Sequence, residues 1–226
     1  MRRSALAPNY GIDADRVLAT DGVVDAFRRR LDGRYAVDEF GGDPHLTDVL
    51  ARAVSPVQVR VEHAENIPRT GPALLVSNRG IGVVEPVVLV LAVRRAAGRR
   101  LRVIGAPELP VLGPVLRKVG AIGYRPDDVA ALLRAGHLAA APLSPTWLRG
   151  GVGEPPRALL AATLGFPVIP VVVRPGGPLG LPLRPWRVVV GEPLLPPAGT
   201  EADDPLAAAE ISEAAREAVH NLLAAT

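Results

Sequence analysis

The chain has 226 residues with 48% hydrophobic content, enough to bury one core with appendages rather than two equal domains, and a formal net charge of +3. It contains no cysteine, which excludes disulfides and thiolate chemistry. Its longest apolar stretch, Ile81 to Val93, is interrupted by Glu85 and Pro86 and falls short of the roughly 20 residues a bilayer-spanning helix needs.

Met1-Arg2-Arg3 runs into Ser4 and Pro8 without the apolar segment of a secretory signal, so a cytoplasmic setting is expected. The charge is uneven. Residues 200–226 hold six acids against Arg216, which leaves the rest of the chain at +8. Lys118 is the only lysine. Arginine's planar fork suits phosphate, so an anionic partner is one reading of this bias; a GC-rich coding bias, which gives the same composition, is the other. The arginines are scattered without interleaved aromatics, which argues against a nucleic-acid partner.

In chain order, Asp13 and Asp15 cap a helix that carries Val17, Leu18, Val23, Val24, Phe27 and Leu31 and ends near Gly33. Asp43 and Pro44 open a second helix through Leu46, Val49, Leu50 and Val54. Residues 1–55 are therefore expected to form an N-terminal helical arm, and residues 56–226 an α/β domain. Within the domain, short apolar runs alternate with helical patterns, as in a largely parallel sheet flanked by helices. Val57 to Val61 alternates like an edge strand, whereas Ala73 to Ser77 is a continuous apolar run suited to a central strand. A helix opened by Pro86 is expected over 86–97, a strand over Leu101–Ile104, a helix over Val111–Val119 and a short strand at Ala121-Ile122. A helix from Asp127 stops at Gly136, strand Leu138–Ala141 follows, and a helix runs from Pro155 to Gly165. Strands Val168–Val173 and Arg187–Val190 close the sheet, and Pro205 to Ala224 is an amphipathic helix with its acids early, where they suit the helix dipole. The Pro/Gly-rich stretch from Pro175 to Pro185 reads as a surface excursion with some potential for partner or membrane contact.

Several segments then fall in a recognisable order: Glu65-Asn66-Ile67-Pro68 after the first strand, Gly71 to Asn78, Gly120-Ala121-Ile122, Leu132 to Gly136, Phe166 to Val171, and Val188 to Pro193. In that order and spacing, residues 57–193 resemble the lysophospholipid or glycerol-3-phosphate acyltransferase family. The resemblance implies the family's α/β fold: a largely parallel mixed sheet flanked by helices, with the N-terminal helical arm outside it. It implies acyl transfer from acyl-CoA or acyl-carrier protein to a glycerol-phosphate or lysophospholipid acceptor, with no cofactor and no metal.

The catalytic signatures depart from the family's pattern. Its Asn-His-x4-Asp motif, in which histidine deprotonates the acceptor hydroxyl and aspartate orients the imidazole, corresponds here to Asn78-Arg79 followed by Glu85, one residue beyond the usual acid. Arginine stays charged at ordinary pH and has no lone pair for a proton, so Arg79 cannot be that base. The family's Phe-Pro-Glu-Gly corresponds to Ala141-Pro142-Leu143-Ser144, without the glutamate. Ser144 lacks the Gly-x-Ser-x-Gly elbow of an acyl-enzyme nucleophile. A glutamate serves as a base near neutrality only where its surroundings raise its pKa by roughly two units.

The expectation is thus a catalytically degenerate acyltransferase homologue, with Arg79 and Glu85 as a structural ion pair at the former catalytic positions. The resemblance extends substrate binding to Asn78, Lys118, Arg125, Ser144 and Arg149, the last before a Gly-rich turn suited to an anion. Expected partners are a lipid or acyl ligand, an active acyltransferase, and the inner face of the membrane by peripheral contact. The alternative is an active acyltransferase with a non-standard base, Glu85 or a histidine among His45, His63, His137 and His220.

Overall fold

A computed structural model describes residues 24–25, 28–29, 32–33, 35, 37–54, 56–78, 84–105, 117–122, 125–143, 165–177, 185–196 and 204–225. Helix α1 (Pro44–Ala53) begins as the sequence predicts: Asp43 caps it by accepting the Leu46 N–H at 2.9 Å, and Pro44 fills the first turn, where no N–H is needed. The chain continues through β1 (Val59–Glu62), a 3₁₀ turn (Ala64–Asn66), β2 (Ala73–Ser77), α2 (Val84–Ala97), β3 (Leu101–Ile104) and β4 (Ala121–Ile122). It ends with α3 (Pro126–Arg134), β5 (Leu138–Pro142), β6 (Val168–Arg174), β7 (Trp186–Val190) and α4 (Pro205–Ala225). The helices expected over 13–33, 111–119 and 155–165 lie wholly or largely outside the described residues.

Two boundaries move by two residues, and several others by one. The first strand is Val59–Glu62 rather than 57–61, because the Val57 N–H turns back to the Val54 carbonyl at 3.0 Å instead of entering a ladder. Helix α2 starts at Val84, two residues before Pro86. Proline is tolerated there because the first-turn N–H groups have no intrahelical acceptor.

The seven strands form one sheet in the order β1-β7-β6-β2-β5-β3-β4. Strands β6, β2, β5, β3 and β4 are mutually parallel; β1 and β7 are parallel to each other, and β7 meets β6 antiparallel. In the parallel block Ala73–Val76, Leu138–Ala141 and Val168–Val173 are buried on both faces, which is why they read as unbroken apolar runs. One face packs Leu75, Ala140, Ile169 and Val171 with Val88, Leu89, Ala92 and Val93 of α2. The other packs Leu74, Ala139, Val168 and Val172 with α3 and with Ala208, Ile211, Ala215 and Val219 of α4. Among the described residues no helix is long and apolar enough to cross a membrane.

Polar fastenings hold the amino edge of the parallel block. Helix α3 ends in a Schellman turn: Gly136 at φ 86° donates to Leu133 O at 2.9 Å, and His137 N–H reaches Leu132 O at 3.2 Å. Arg99 donates to the carbonyls of Pro68, Gly71 and Gly136 at 3.0, 2.6 and 2.6 Å, tying the entries of β2 and β5 to that of β3. Asp48 of α1 receives Arg94 and Arg100 at 2.5 and 2.9 Å. Burial pushes the Asp48 carboxyl up, but the hydrogen bonds and charge of the two arginines outweigh it and hold it below its ordinary range.

Arg102, buried on β3, pairs with Asp38, whose second oxygen accepts the backbone N–H groups of Phe40 and Gly42 at 3.1 and 2.9 Å. Gly42 is required by this contact, since a Cβ there would stand 2.1 Å from the Arg102 guanidinium. Residues 37–43 are thereby strapped across the ends of β3, β4 and β5, with Phe40 edge-on to His137 at 5.5 Å and Asp43 N–H on Lys118 O at 2.7 Å.

Candidate functional site

In open α/β sheets ligands gather beyond the carboxyl ends of the strands, where loops leave the scaffold. Here that edge is formed by the ends of β2, β5, β6, β3 and β4. Ser77 is level with Pro142 on one side and Val171 on the other, so β2 and β5 end together while β6 continues to Arg174.

Asn78 is the first residue past β2. Its backbone N–H reaches Val171 O at 3.3 Å, and its carboxamide continues the ladder: Oδ1 accepts the Val173 N–H at 2.7 Å and Nδ2 donates to Val173 O at 3.1 Å. The side chain copies a peptide group and sews β2 to β6. On the other side Leu143 N–H donates to Ser77 O at 2.9 Å and sews β2 to β5. Leu143 is fully buried at 0% exposure among the apolar side chains beneath α3 and α4.

Glu85 lies in the first turn of α2, where the helix dipole favours a carboxylate. Its Oε2 is shielded from solvent and accepts no hydrogen bond among the described residues. Val84 and Val87 flank it, 44% and 42% exposed. Arg125 follows β4 and precedes Pro126 as the residue before α3, in the extended backbone that proline imposes on its predecessor. Its side chain is exposed and makes no cap hydrogen bond. Asn78, Glu85 and Arg125 therefore share the carboxyl edge.

Lys118 does not join them. It precedes β4, at the amino edge, with its ammonium 4.6 Å from the centre of the Tyr35 ring. Arg79, Ser144 and Arg149 lie outside the described residues, and with Arg79 so does the expected Arg79–Glu85 pair. His45 at the start of α1, His63 after β1 and His137 before β5 all stand toward the amino edge, and His220 is on the exposed side of α4. Burial first, then the charge of Arg102, pushes the His137 imidazole below its ordinary range. Among the described residues no group of three or more His, Asp or Glu side chains could hold a metal ion.

One residue of this edge escapes a sequence reading. Arg174 closes β6 and donates through Nη2 to Leu223 O in the last turn of α4, while its buried Nε has no acceptor among the described residues. A charge at the end of a β-branched run looks like an ordinary strand terminus, and only the packing of α4 reveals its contact.

No family model matches the chain. The uncharacterized protein Rv0502 of Mycobacterium tuberculosis is 31% identical over 98% of this chain and 79% of its own length. The uncharacterized protein ML2427 of Mycobacterium leprae is 31% identical over 93% of this chain and 72% of its own length. Among solved structures, the 1-acyl-sn-glycerophosphate acyltransferase PlsC of Thermotoga maritima superimposes with a TM-score of 0.50 at 18% identity, covering 76% of this chain and 79% of that one. With its mostly parallel seven-stranded sheet between helical layers, the chain belongs to the family of these mycobacterial proteins, and it carries the acyltransferase fold of the Thermotoga enzyme.

Proposed function

We propose that this chain is a catalytically degenerate acyltransferase-fold protein that binds acyl- or phospholipid-type ligands at the carboxyl edge of its sheet. The observation that carries this reading is Leu143. The position expected to hold the motif's glutamate is a side chain with 0% exposure, buried in the core, and it offers an acceptor neither charge nor a hydrogen-bonding group. Two further features agree with it. The Asn78 carboxamide is engaged by Val173, and the next residue in the sequence is an arginine, which cannot accept the acceptor's proton. Exposed Val84 and Val87 beside the site suit an acyl chain or the inner membrane face, which fits a cytoplasmic protein in peripheral membrane contact or the partner of an active acyltransferase.

The test is an acyl-transfer assay with acyl-CoA or acyl-carrier protein as donor and glycerol 3-phosphate or lysophospholipid as acceptor, run beside a binding assay with lysophospholipid. Binding without turnover is the expected result. Robust turnover abolished by Glu85→Gln would overturn it.

A second reading rests on one observation. The Glu85 Oε2, shielded in the first turn of α2, has no hydrogen-bond partner among the described residues and could meet a substrate hydroxyl. On that reading the protein is an active acyltransferase with a glutamate base, and the same Glu85→Gln assay separates the two.

A further inference from the structure

Among the described residues strand β1 ends the sheet, with β7 on one side and no strand on the other. Trp186 N–H donates to Gln58 O at 2.8 Å, and in a parallel ladder alternate residues turn their backbone groups to the partner strand. Gln58, Arg60 and Glu62 therefore face β7 through their backbone, while Val59 and Val61 present N–H and C=O groups to the open side. The side chains alternate in the other sense. Val59 and Val61 pack against the core under α2, and Arg60 and Glu62 project from the opposite face.

Unpaired edges are usually blunted by charge, and two charges of one sign would do that here. This edge carries opposite signs two residues apart. Arg60 is exposed and makes no hydrogen bond or ion pair among the described residues; Glu62 receives Arg187 at 2.9 and 3.1 Å and remains partly exposed. A spacing of two with opposite charges complements itself in an antiparallel pair. With a two-fold axis through Val61, the outward backbone groups of Val61 and the partner's Val61 form a hydrogen-bonded pair. Arg60 then stands opposite the partner's Glu62 at the closer, non-hydrogen-bonded spacing, and the contact is made twice. The competing registers lack this match: an axis at Arg60 sets two arginines face to face, and one at Val59 sets Arg60 against the partner's Gln58.

We infer that the β1 edge is a self-association surface, joining two copies of this chain through an antiparallel β1–β1 pair into one fourteen-stranded sheet, with Val61 at its centre. The short strand and the positive φ of His63, which turns the chain away after Glu62, limit the pair to a few residues, so the dimer is concentration-dependent.

Light scattering coupled to gel filtration across a concentration series tests this. The mass is expected to rise from 23.7 kDa toward about 47 kDa with concentration, and to stay at 23.7 kDa for Arg60→Glu, which replaces an exposed side chain without intrachain partners. Glu62→Arg alone is expected to be monomeric too, since it places two arginines opposite each other. An equimolar mixture of Arg60→Glu with Glu62→Arg regains the dimer mass, because each unlike pair is complementary again. A wild-type protein that stays monomeric throughout, a dimer indifferent to Arg60→Glu, or a mixture that remains monomeric overturns the proposal.

Discussion

Replacing Asn78 by alanine separates a structural role from a ligand-binding one. The carboxamide satisfies both the N–H and the C=O of Val173, a residue only 2% exposed, so its removal leaves two buried backbone groups without partners. Each such group costs about 1–3 kcal/mol. Because Asn78 is itself partly exposed and water can reach the vacated space, the lower half of the summed range applies, about 2–4 kcal/mol. For a chain of this size that corresponds to a fall in Tm of about 4–16 °C. Asn78→Asp keeps the acceptor for Val173 N–H but sets a second oxygen against Val173 O, so its loss is expected to be smaller, about 1–2 kcal/mol. The assay is urea unfolding followed by tryptophan fluorescence, with Trp186 buried in the sheet as the reporter, alongside lysophospholipid binding. A loss below about 0.5 kcal/mol for Asn78→Ala, accompanied by lost binding, would refute the structural role and place the carboxamide in the ligand site.

Asp38→Ala leaves Arg102 as a buried, unpaired cation and frees two backbone N–H groups; with Asp38 partly exposed, about 2–4 kcal/mol of stability is lost in the same unfolding assay, and Arg102→Met loses less. Leu143→Ala opens a cavity in a fully buried position and costs about 2–5 kcal/mol, whereas Leu143→Glu buries a carboxylate beneath α3 and is expected to destabilise more without creating turnover. His137 binds its proton less readily in the folded chain than when unfolded, chiefly through burial and the charge of Arg102. Its contribution is therefore present above about pH 6.5 and lost as pH falls from there through the folded-state value, and His137→Gln is expected to flatten the pH dependence of Tm in that window.

Much of the scaffold is written locally in the sequence. Asp43-Pro44 starts α1 because a capping carboxylate and a pre-set φ act within one turn. Gly136 stops α3 because the Schellman turn needs a positive φ. The apolar runs of β2, β5 and β6 announce strands covered on both faces, and the motif order pointed to the acyltransferase fold. The identities of Arg79, Glu85 and Leu143 are equally visible as letters.

Tertiary structure decided what those letters do. That Leu143 is buried while Glu85 keeps a shielded oxygen with no partner among the described residues depends on which face of the sheet each element meets, and no local pattern specifies it. Lys118 and Arg125 lie seven residues apart in sequence, yet β4 runs between them and carries them to opposite edges of the sheet. Asn78 looks like a site residue in the sequence; the parallel neighbour β6, 95 residues away, turns its amide into a rung of the ladder. Asp38 and Arg102, 64 residues apart, form a partly buried ion pair that strand propensity would have discouraged. Local hydrogen-bond geometry and periodicity are short-range and can be read along the chain, whereas burial, pairing partners and the edge a side chain occupies are set by contacts between distant segments.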